Sequence, residues 1–229
     1  HFAPIGVFAM IAYTVGSYGI AMLIPLGKLI LSVACATALF ICVVALIASV
    51  FTGINFFHVI RALKDILFLA FSTASSEAAL PGAMKRLEEL GVPKTIVTFV
   101  MPTGYSFNLD GSTLYSSAGI LFIAQLYGIQ MPIEQQLLVM VTLMLSTKGI
   151  AGVPGAGIIV VAATAAAFNL PTEGVAILLG IDRLLDMIRT ICNVCGNCMA
   201  TVVVACWEKE LNKATFNEKY RAFLGGKNS

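Results

Sequence analysis

Charged residues are scarce in this chain, with 14 Lys and Arg and 12 Asp and Glu among 229 residues. They make up 11% of the sequence, whereas soluble proteins carry roughly 25%. So few charges cannot cover the surface of a soluble domain of this size, and that class is excluded. The formal net charge is only +2 and no long basic run occurs, so nothing indicates a nucleic-acid partner.

Cysteine and histidine are also few, at six and two residues. The cysteines lie in apolar stretches without the spacing of a disulfide framework, and we interpret them as free thiols. Cys192, Cys195 and Cys198 repeat every three residues, but no histidine lies near them. Packing of small side chains along a helix explains this spacing better than a zinc site does. No cofactor is expected.

Hydrophobic residues make up 59% of the chain, and two long apolar runs come first. No charge lies between His1 and Lys28, and Leu29–Phe51 is a second charge-free run. A helix over either run is long enough to cross about 30 Å of hydrocarbon. The sequence therefore predicts a membrane protein that starts with two spanning helices. Because no charged leader segment follows His1, we expect the C-terminal part of a longer chain.

The remaining apolar segments are interrupted by polar residues or glycine. Irregular backbone at membrane depth is tolerated only where protein or a water-filled cavity satisfies its hydrogen bonds. We therefore predict an all-α membrane protein with discontinuous helices and two re-entrant helical hairpins, the arrangement of a transporter with a site near the bilayer midplane. The predicted pieces are a hairpin with a polar tip at 72–77, a helix broken at 108–112, a second hairpin with a glycine-rich tip at 149–157, and a final helix over 173–207.

Polar residues on the final helix follow helical spacing. Asp182, Asp186, Arg189, Asn193 and Asn197 are four, three, four and four residues apart, so they share one helix face. An ionisable group at the bilayer centre costs at least about 2.5 kcal/mol, so this face must line a protein interior. One interpretation is a zwitterion site, in which the arginine donates to a carboxylate and the second aspartate accepts from an ammonium group. The other is an internal ion pair that closes the helix bundle.

Two other polar stretches admit a functional and a structural interpretation. Asn108 and Asp110 offer hard oxygen ligands for a cation, for which sodium is the natural choice, and they can also cap the ends of the broken helix. The Gly149–Gly157 stretch is either a flexible gate or a tight hairpin turn.

Four motifs carry a family resemblance. In chain order they are 72–81 (STASSEAALP), 108–112 (NLDGS), 152–157 (GVPGAG) and 186–193 (DMIRTICN). With these motifs, the sequence resembles the dicarboxylate/amino acid:cation symporters, the glutamate transporter family, and most closely its bacterial glutamate/aspartate branch. The resemblance implies an inverted repeat, which is a known property of this family.

The resemblance implies the domain organisation. Residues 1–55 would be the fifth and sixth membrane helices, 56–207 the transport core of hairpin 1, helix 7, hairpin 2 and helix 8, and 208–229 a cytoplasmic tail. The basic excess of that tail agrees with a cytoplasmic C-terminus. The resemblance further implies a homotrimer of the full-length protein in the lipid bilayer of the bacterial inner membrane.

The resemblance also implies the site residues. Arg189 would bind the side-chain carboxylate of the substrate, Asp186 its amino group and Asn193 its α-carboxylate. The rest of the substrate pocket would be Ser75, Ser76, Ser112, Val153, Gly157 and Thr190. The sodium ligands would be Gly104, Ser106, Asn108, Asp110, Asn193 and Asn197, with backbone from Thr147 to Ile150.

The sequence departs from the family pattern at several positions. Sodium-coupled members commonly have Asp where this chain has Asn197, which predicts fewer coupled sodium ions. Many members have Arg where Ala74 and Met187 stand, and Arg183 is a candidate substitute. A carboxyl in a poorly hydrated site can carry a proton, so Glu77 at the first hairpin tip is a proton-coupling candidate. Lys148 and Ile150 also replace smaller residues at the second tip.

The expected function is secondary active symport of acidic amino acids, glutamate or aspartate, driven by sodium, protons or both through alternating access. The alternative is a C4-dicarboxylate:cation symporter, although that branch lacks the carboxylate at the position of Asp186. An ion channel is disfavoured because it would need a continuous polar pore. An enzyme is disfavoured because Ser75 and Ser76 have no histidine within reach.

Overall fold

The computed structural model describes residues 3–148 and 155–225, and within these ranges the chain is helical and has no strand. A short 3-10 turn over Ile20–Met22 links the first two helices. The α-helices are α1 (Ala3–Tyr18), α2 (Leu23–Thr52), α3 (Phe56–Ala62), α4 (Lys64–Thr73), α5 (Ser76–Glu89), α6 (Lys94–Phe107), α7 (Asp110–Leu126), α8 (Ile133–Ser146), α9 (Ala156–Ala167), α10 (Glu173–Leu179), α11 (Asp182–Trp207) and α12 (Lys213–Gly225).

Two helical segments in the described ranges are long and apolar enough to cross a membrane, Ile20–Thr52 and Asp182–Trp207. The first displays large hydrophobic side chains outward, with Leu31 65% and Leu39 66% exposed. A continuous apolar surface of this kind needs lipid or another protein surface to cover it. The helical architecture is therefore consistent with a membrane transporter.

The chain reverses direction between α4 and α5. Ala74 ends α4 in the left-handed region with φ 49°, and the Ser75 hydroxyl begins α5 by accepting a hydrogen bond from the Ala78 amide at 3.4 Å. The two helices then pack against each other. This turn lies within the 72–77 segment for which a hairpin tip is predicted.

The chain leaves helical conformation again at Asn108 and Leu109, between α6 and α7. The Asn108 amide closes the last turn of α6 on the Gly104 carbonyl at 2.7 Å. The interruption therefore lies inside the 108–112 motif and places its polar residues between two helix ends, where backbone groups lack helical partners.

Two local expectations differ from the structure. A single helix is predicted over 173–207, but the structure has two helices there, because Gly180 and Ile181 form a turn between α10 and α11. Glycine is a poor helix former, which favours an interruption at this position. The predicted polar tail contains α12, whose Phe216 and Tyr220 are buried. Tyr220 stacks on His58 with ring centroids 4.5 Å apart, so the helix docks on α3.

Helix α11 lies at the centre of the molecule and packs against α2, α4, α5, α6 and α7. One apolar cluster joins its C-terminal half to α3–α6 and α12. A second cluster joins its N-terminal turn to α7–α10 and the start of α2. The polar face of α11 therefore runs between two apolar cores, which fix its position.

Candidate functional site

The polar face predicted on the final helix lies on α11 and is largely buried. Asp186 and Arg189 are each 2% exposed, Asn193 is 5% and Asn197 is 4% exposed. Asp182, at the first position of the helix, is half-buried. Buried ionisable groups need partners, because an isolated charge away from water is strongly unfavourable.

Asp186 and Arg189 form an ion pair, with Nη2 2.5 Å from Oδ1. The second carboxylate oxygen of Asp186 accepts a hydrogen bond from the Gly155 amide at 3.0 Å. Gly155 directly precedes α9, so the beginning of that helix is held to α11 through this carboxylate. The Thr190 hydroxyl donates to the Asp186 carbonyl at 2.7 Å and thus faces its own helix.

The first turn of α7 supplies the facing polar groups. The Ser112 hydroxyl is within hydrogen-bond distance of Arg189 Nη1 at 3.4 Å and Asn193 Nδ2 at 3.2 Å. The Gly111 amide donates to Asn193 Oδ1 at 2.8 Å. A Cβ at Gly111 would overlap the Arg189 carbonyl and lie 2.7 Å from Cys192 Cβ. Glycine at this position is therefore what lets α7 approach α11 closely enough to bring the serine and arginine together.

Tyr115 is a member of the site that the sequence reasoning missed. Its hydroxyl donates to Asp182 Oδ1 at 2.6 Å. A Cβ on Gly157 would lie 2.8 Å from the Tyr115 ring and 3.2 Å from Arg189 Nη1, so α9 also packs closely here. The sequence offered one signal for Tyr115. It lies three residues after Ser112, which puts both side chains on one face of α7.

A second polar cluster surrounds Asn197. Its Nδ2 donates to the Met101 carbonyl at 2.9 Å, and its Oδ1 is buried without a hydrogen-bond partner within the described ranges. This oxygen occupies the space that a Cβ on Gly104 would need. A small cavity opens beside it, lined by Ser76, Leu80, Met101, Tyr105, Asn108, Leu109, Asn193, Val194 and Asn197.

The predicted sodium ligands are brought together only in part. Gly104 touches the Asn197 amide, and Asn108, Asn193 and Asn197 line the cavity. Asp110 lies beside Gly196 of α11. A Cβ added to Gly196 would lie 3.3 Å from Oδ2 of Asp110. The half-buried Ser106 does not line the cavity. Thr147 is fully buried, and its hydroxyl lies 3.0 Å from that of Thr113 on α7. Amide and hydroxyl oxygens at these positions are suited to a hard cation.

The turn between α4 and α5 contributes Ser76, which is 6% exposed and lines the cavity, whereas Ser75 caps α5. Glu77 is exposed on the first turn of α5. Arg183 reaches this turn from α11 and donates to the Thr73 carbonyl at 3.0 Å. Val153 and the rest of 149–154, including Gly149, Ile150 and Gly152, lie outside the described residues.

All six cysteines are free thiols. Cys192, Cys195 and Cys198 are buried in the packing of α11. Among the residues that the structure describes, no group of three His, Cys, Asp or Glu side chains is placed to hold a metal ion.

Comparison with known proteins matches this chain to one family. The model of the sodium:dicarboxylate symporter family matches residues 1–207. A proton/sodium-glutamate symport protein of Geobacillus stearothermophilus is 52% identical over 212 residues, which are 93% of this chain and 50% of that protein. A proton/glutamate-aspartate symporter of Escherichia coli (strain K12) is 49% identical over 224 residues, 98% of this chain and 51% of that protein.

A C4-dicarboxylate transport protein of Burkholderia pseudomallei (strain 668) is also similar, at 44% identity over 225 residues, 98% of this chain and 52% of that protein. The chain thus spans about half the length of the relatives that it matches.

Proposed function

The chain belongs to the sodium:dicarboxylate symporter family, and on that premise we propose that the full-length protein is a secondary active symporter of acidic amino acids. Glutamate and aspartate are the proposed substrates, in line with the names of two relatives. Sodium, protons or both are the proposed driving ions. The protein binds and moves its substrate and performs no covalent chemistry on it.

The buried Asp186–Arg189 ion pair is the observation that carries this proposal. An acidic amino acid brings one ammonium and two carboxylate groups. It can replace the internal pair by giving its ammonium to Asp186 and a carboxylate to Arg189, so neither charge is left alone. Asn193 and Ser112 lie within hydrogen-bond distance of each other and can receive the second carboxylate.

The same pair disfavours substrates that lack one of these charges. A dicarboxylate without an ammonium group would leave Asp186 unpaired, and a neutral amino acid would leave Arg189 unpaired. Breaking a buried pair by removing one partner costs about 3–5 kcal/mol. The site therefore distinguishes zwitterionic dicarboxylates from both groups.

Substrate access would be controlled from α9. The Gly155 amide holds Asp186, and Gly157 packs against Tyr115 and Arg189, so the site is covered when α9 is docked. Opening this helix would expose the ion pair. We assign α8 and α9 to hairpin 2, α4 and α5 to hairpin 1, and residues 56–207 to a transport core that moves across the membrane.

For the whole protein we propose a homotrimer in the bacterial inner membrane with a cytoplasmic C-terminus. Residues 1–55 would be its fifth and sixth membrane helices and 208–229 its tail. Membership of the family supports the trimer and the mobile core as proposals, and the proposed fixed scaffold would include residues beyond this chain.

Sodium binding is proposed at the cavity beside Asn197. The unpartnered Asn197 Oδ1, Asn108 and Asn193 supply oxygen atoms there, with Gly104, Ser106 and Asp110 close to the same break. A neutral amide attracts a cation less than a carboxylate does, so weak or partial sodium coupling is expected.

Glu77 is proposed as a proton carrier because it adjoins Ser76 at the first hairpin tip. The structure places Glu77 in an exposed position rather than in the poorly hydrated site expected from the sequence. We expect Glu77→Gln to abolish the stimulation of uptake by an inward proton gradient while leaving sodium-driven uptake intact. Glu88→Gln, at an exposed position on the same helix, is the control. Unchanged proton dependence in Glu77→Gln would remove this residue from the mechanism.

The proposed function is tested by uptake of labelled L-glutamate and L-aspartate into proteoliposomes that contain the full-length protein. Sodium and pH gradients are imposed separately, with succinate and serine as competitors. Uptake that follows either gradient and resists both competitors supports the proposal. Uptake blocked by succinate would favour C4-dicarboxylate transport, the activity named for one similar protein.

A further inference from the structure

Lys148 makes an unusual contact for a lysine in an apolar hairpin. Its ammonium donates to the Phe107 carbonyl at 2.7 Å, 41 positions away in the chain. Phe107 is the last residue of α6, and the final carbonyls of a helix lack helical partners. They also carry the negative end of the helix dipole, so a cation is favoured at this point.

The surroundings of Lys148 fix this contact at the helix break. Thr147, the preceding residue, lies 3.0 Å from Thr113 between the two hydroxyl oxygens. The Asp110 carboxylate is close enough to interact electrostatically with the lysine. The end of α8 is thus joined to α6 on one side of the break and to α7 on the other.

The ammonium lies in the same region as the proposed cation ligands. Ser106 and Asn108 flank its acceptor in sequence, and Asp110 attracts it. A sodium ion near this helix end would be held by the same kind of negative potential. Lys148 is exposed, and two positive charges within a few ångströms of each other still repel near a protein surface.

We propose that Lys148 is a built-in cation that takes the place of a coupling sodium ion at the end of α6. The lysine then holds the second hairpin to the helix break without sodium, and substrate uptake needs less sodium as a result. This inference rests on the proposed function, because it concerns the ion dependence of the same transport site. It makes Lys148 a residue that determines ion specificity through its fixed charge.

The test compares three substitutions in the full-length protein. Lys148→Gln keeps a hydrogen-bond donor but removes the charge, Lys148→Arg keeps both, and Lys148→Met removes both. Lys94→Gln removes a charge at the other end of α6 and is the matched control. The readout is the stimulation of L-glutamate uptake by sodium in proteoliposomes, with choline replacing sodium at constant ionic strength and pH.

We expect Lys148→Gln and Lys148→Met to increase the sodium stimulation of uptake about tenfold over the parent, because sodium can occupy the vacated position. Lys148→Arg and Lys94→Gln should respond like the parent. A parental sodium response in Lys148→Gln would overturn the proposal. The same increase in Lys148→Arg would overturn it too, because the charge would then not be the cause.

Thermal unfolding of the purified proteins keeps the test decisive if a variant does not transport. Sodium should raise the Tm of Lys148→Gln more than it raises the Tm of the parent, whereas an equal shift would contradict a vacated sodium site. If the parent transports no acidic amino acid, the proposed function fails, and the Tm comparison still tests the role of Lys148.

Discussion

Asn197 lines the cavity that is proposed to bind sodium. Its Nδ2 donates to the Met101 carbonyl at 2.9 Å. In Asn197→Asp a carboxylate oxygen would face that carbonyl oxygen, and a bound cation would relieve the repulsion. We expect this variant to be less stable than the parent without sodium and to need about tenfold less sodium for half-maximal uptake, since a carboxylate is the stronger cation ligand.

The sodium titration of uptake and the Tm without sodium check this expectation. Asn212→Asp is the control, because Asn212 caps the exposed start of α12 by accepting from the Thr215 amide, and Asp serves that role equally well. An unchanged sodium requirement in Asn197→Asp would show that Asn197 does not lie at a sodium site.

At the residue scale, the sequence predicted which residues share the polar face of α11. It did not predict which side chains from other helices contact that face. Helical spacing alone placed Asp186, Arg189 and Asn193 together, because helix geometry is local. The Tyr115–Asp182 and Lys148–Phe107 contacts join distant parts of the chain. Such contacts depend on how helices pack, which residue spacing within one helix does not determine.

The close approach of α7 and α11 is the contact between elements on which the site depends. A Cβ at Gly111 would overlap the Arg189 carbonyl, and neither backbone can move away easily because both helices are packed. We expect Gly111→Ala to destabilise the protein by about 1–3 kcal/mol, the usual effect of overpacking, and to reduce uptake. Thermal unfolding and L-aspartate uptake measure the two effects.

Gly27→Ala is the control for this substitution, because Gly27 lies in α2 and a Cβ there would meet nothing within 4 Å. Alanine at this helical position should leave stability unchanged or raise it by up to about 1 kcal/mol. A Gly111→Ala protein as stable and active as the parent would mean that the two helices are not held as closely as described.

At the element scale, helix interruptions were predictable where polar residues and glycine cluster, as at Asn108 and Leu109. The turn at Gly180 was missed because a single glycine within an apolar segment is a weak signal. The α12 helix was missed because its charged residues dominate the composition, whereas two aromatic residues decide its packing. The arrangement of hairpin pairs relative to the membrane stays a prediction.

Docking of α12 ties this C-terminal helix to α3. Phe216 is fully buried, its ring centroid is 6.1 Å from that of Tyr220, and Tyr220 stacks on His58. Phe216→Ala should therefore lower stability by about 3–5 kcal/mol, as large-to-small substitutions in cores do. Phe57→Ala, at an exposed aromatic residue of α3, is the control.

Thermal unfolding of the full-length variants tests this docking. We expect the substrate concentration for half-maximal uptake to stay unchanged in Phe216→Ala, because α12 does not line the site. A Tm equal to that of the Phe57→Ala control would show that the tail helix is not docked as described.

At the scale of the whole molecule, the central claim is that the Asp186–Arg189 pair selects a substrate that carries both an ammonium and a second carboxylate. The most direct measurement is inhibition of labelled L-aspartate uptake by succinate in the parent and in Asp186→Asn. Glu208→Gln, at the exposed end of the same helix, is the control.

In the parent and the control, succinate should inhibit at least about 100-fold less well than unlabelled L-aspartate, since an unpaired buried carboxylate costs about 3–5 kcal/mol. In Asp186→Asn this difference should fall about tenfold or more. A parent inhibited equally by succinate and L-aspartate, or an Asp186→Asn protein with parental selectivity, would contradict the claim.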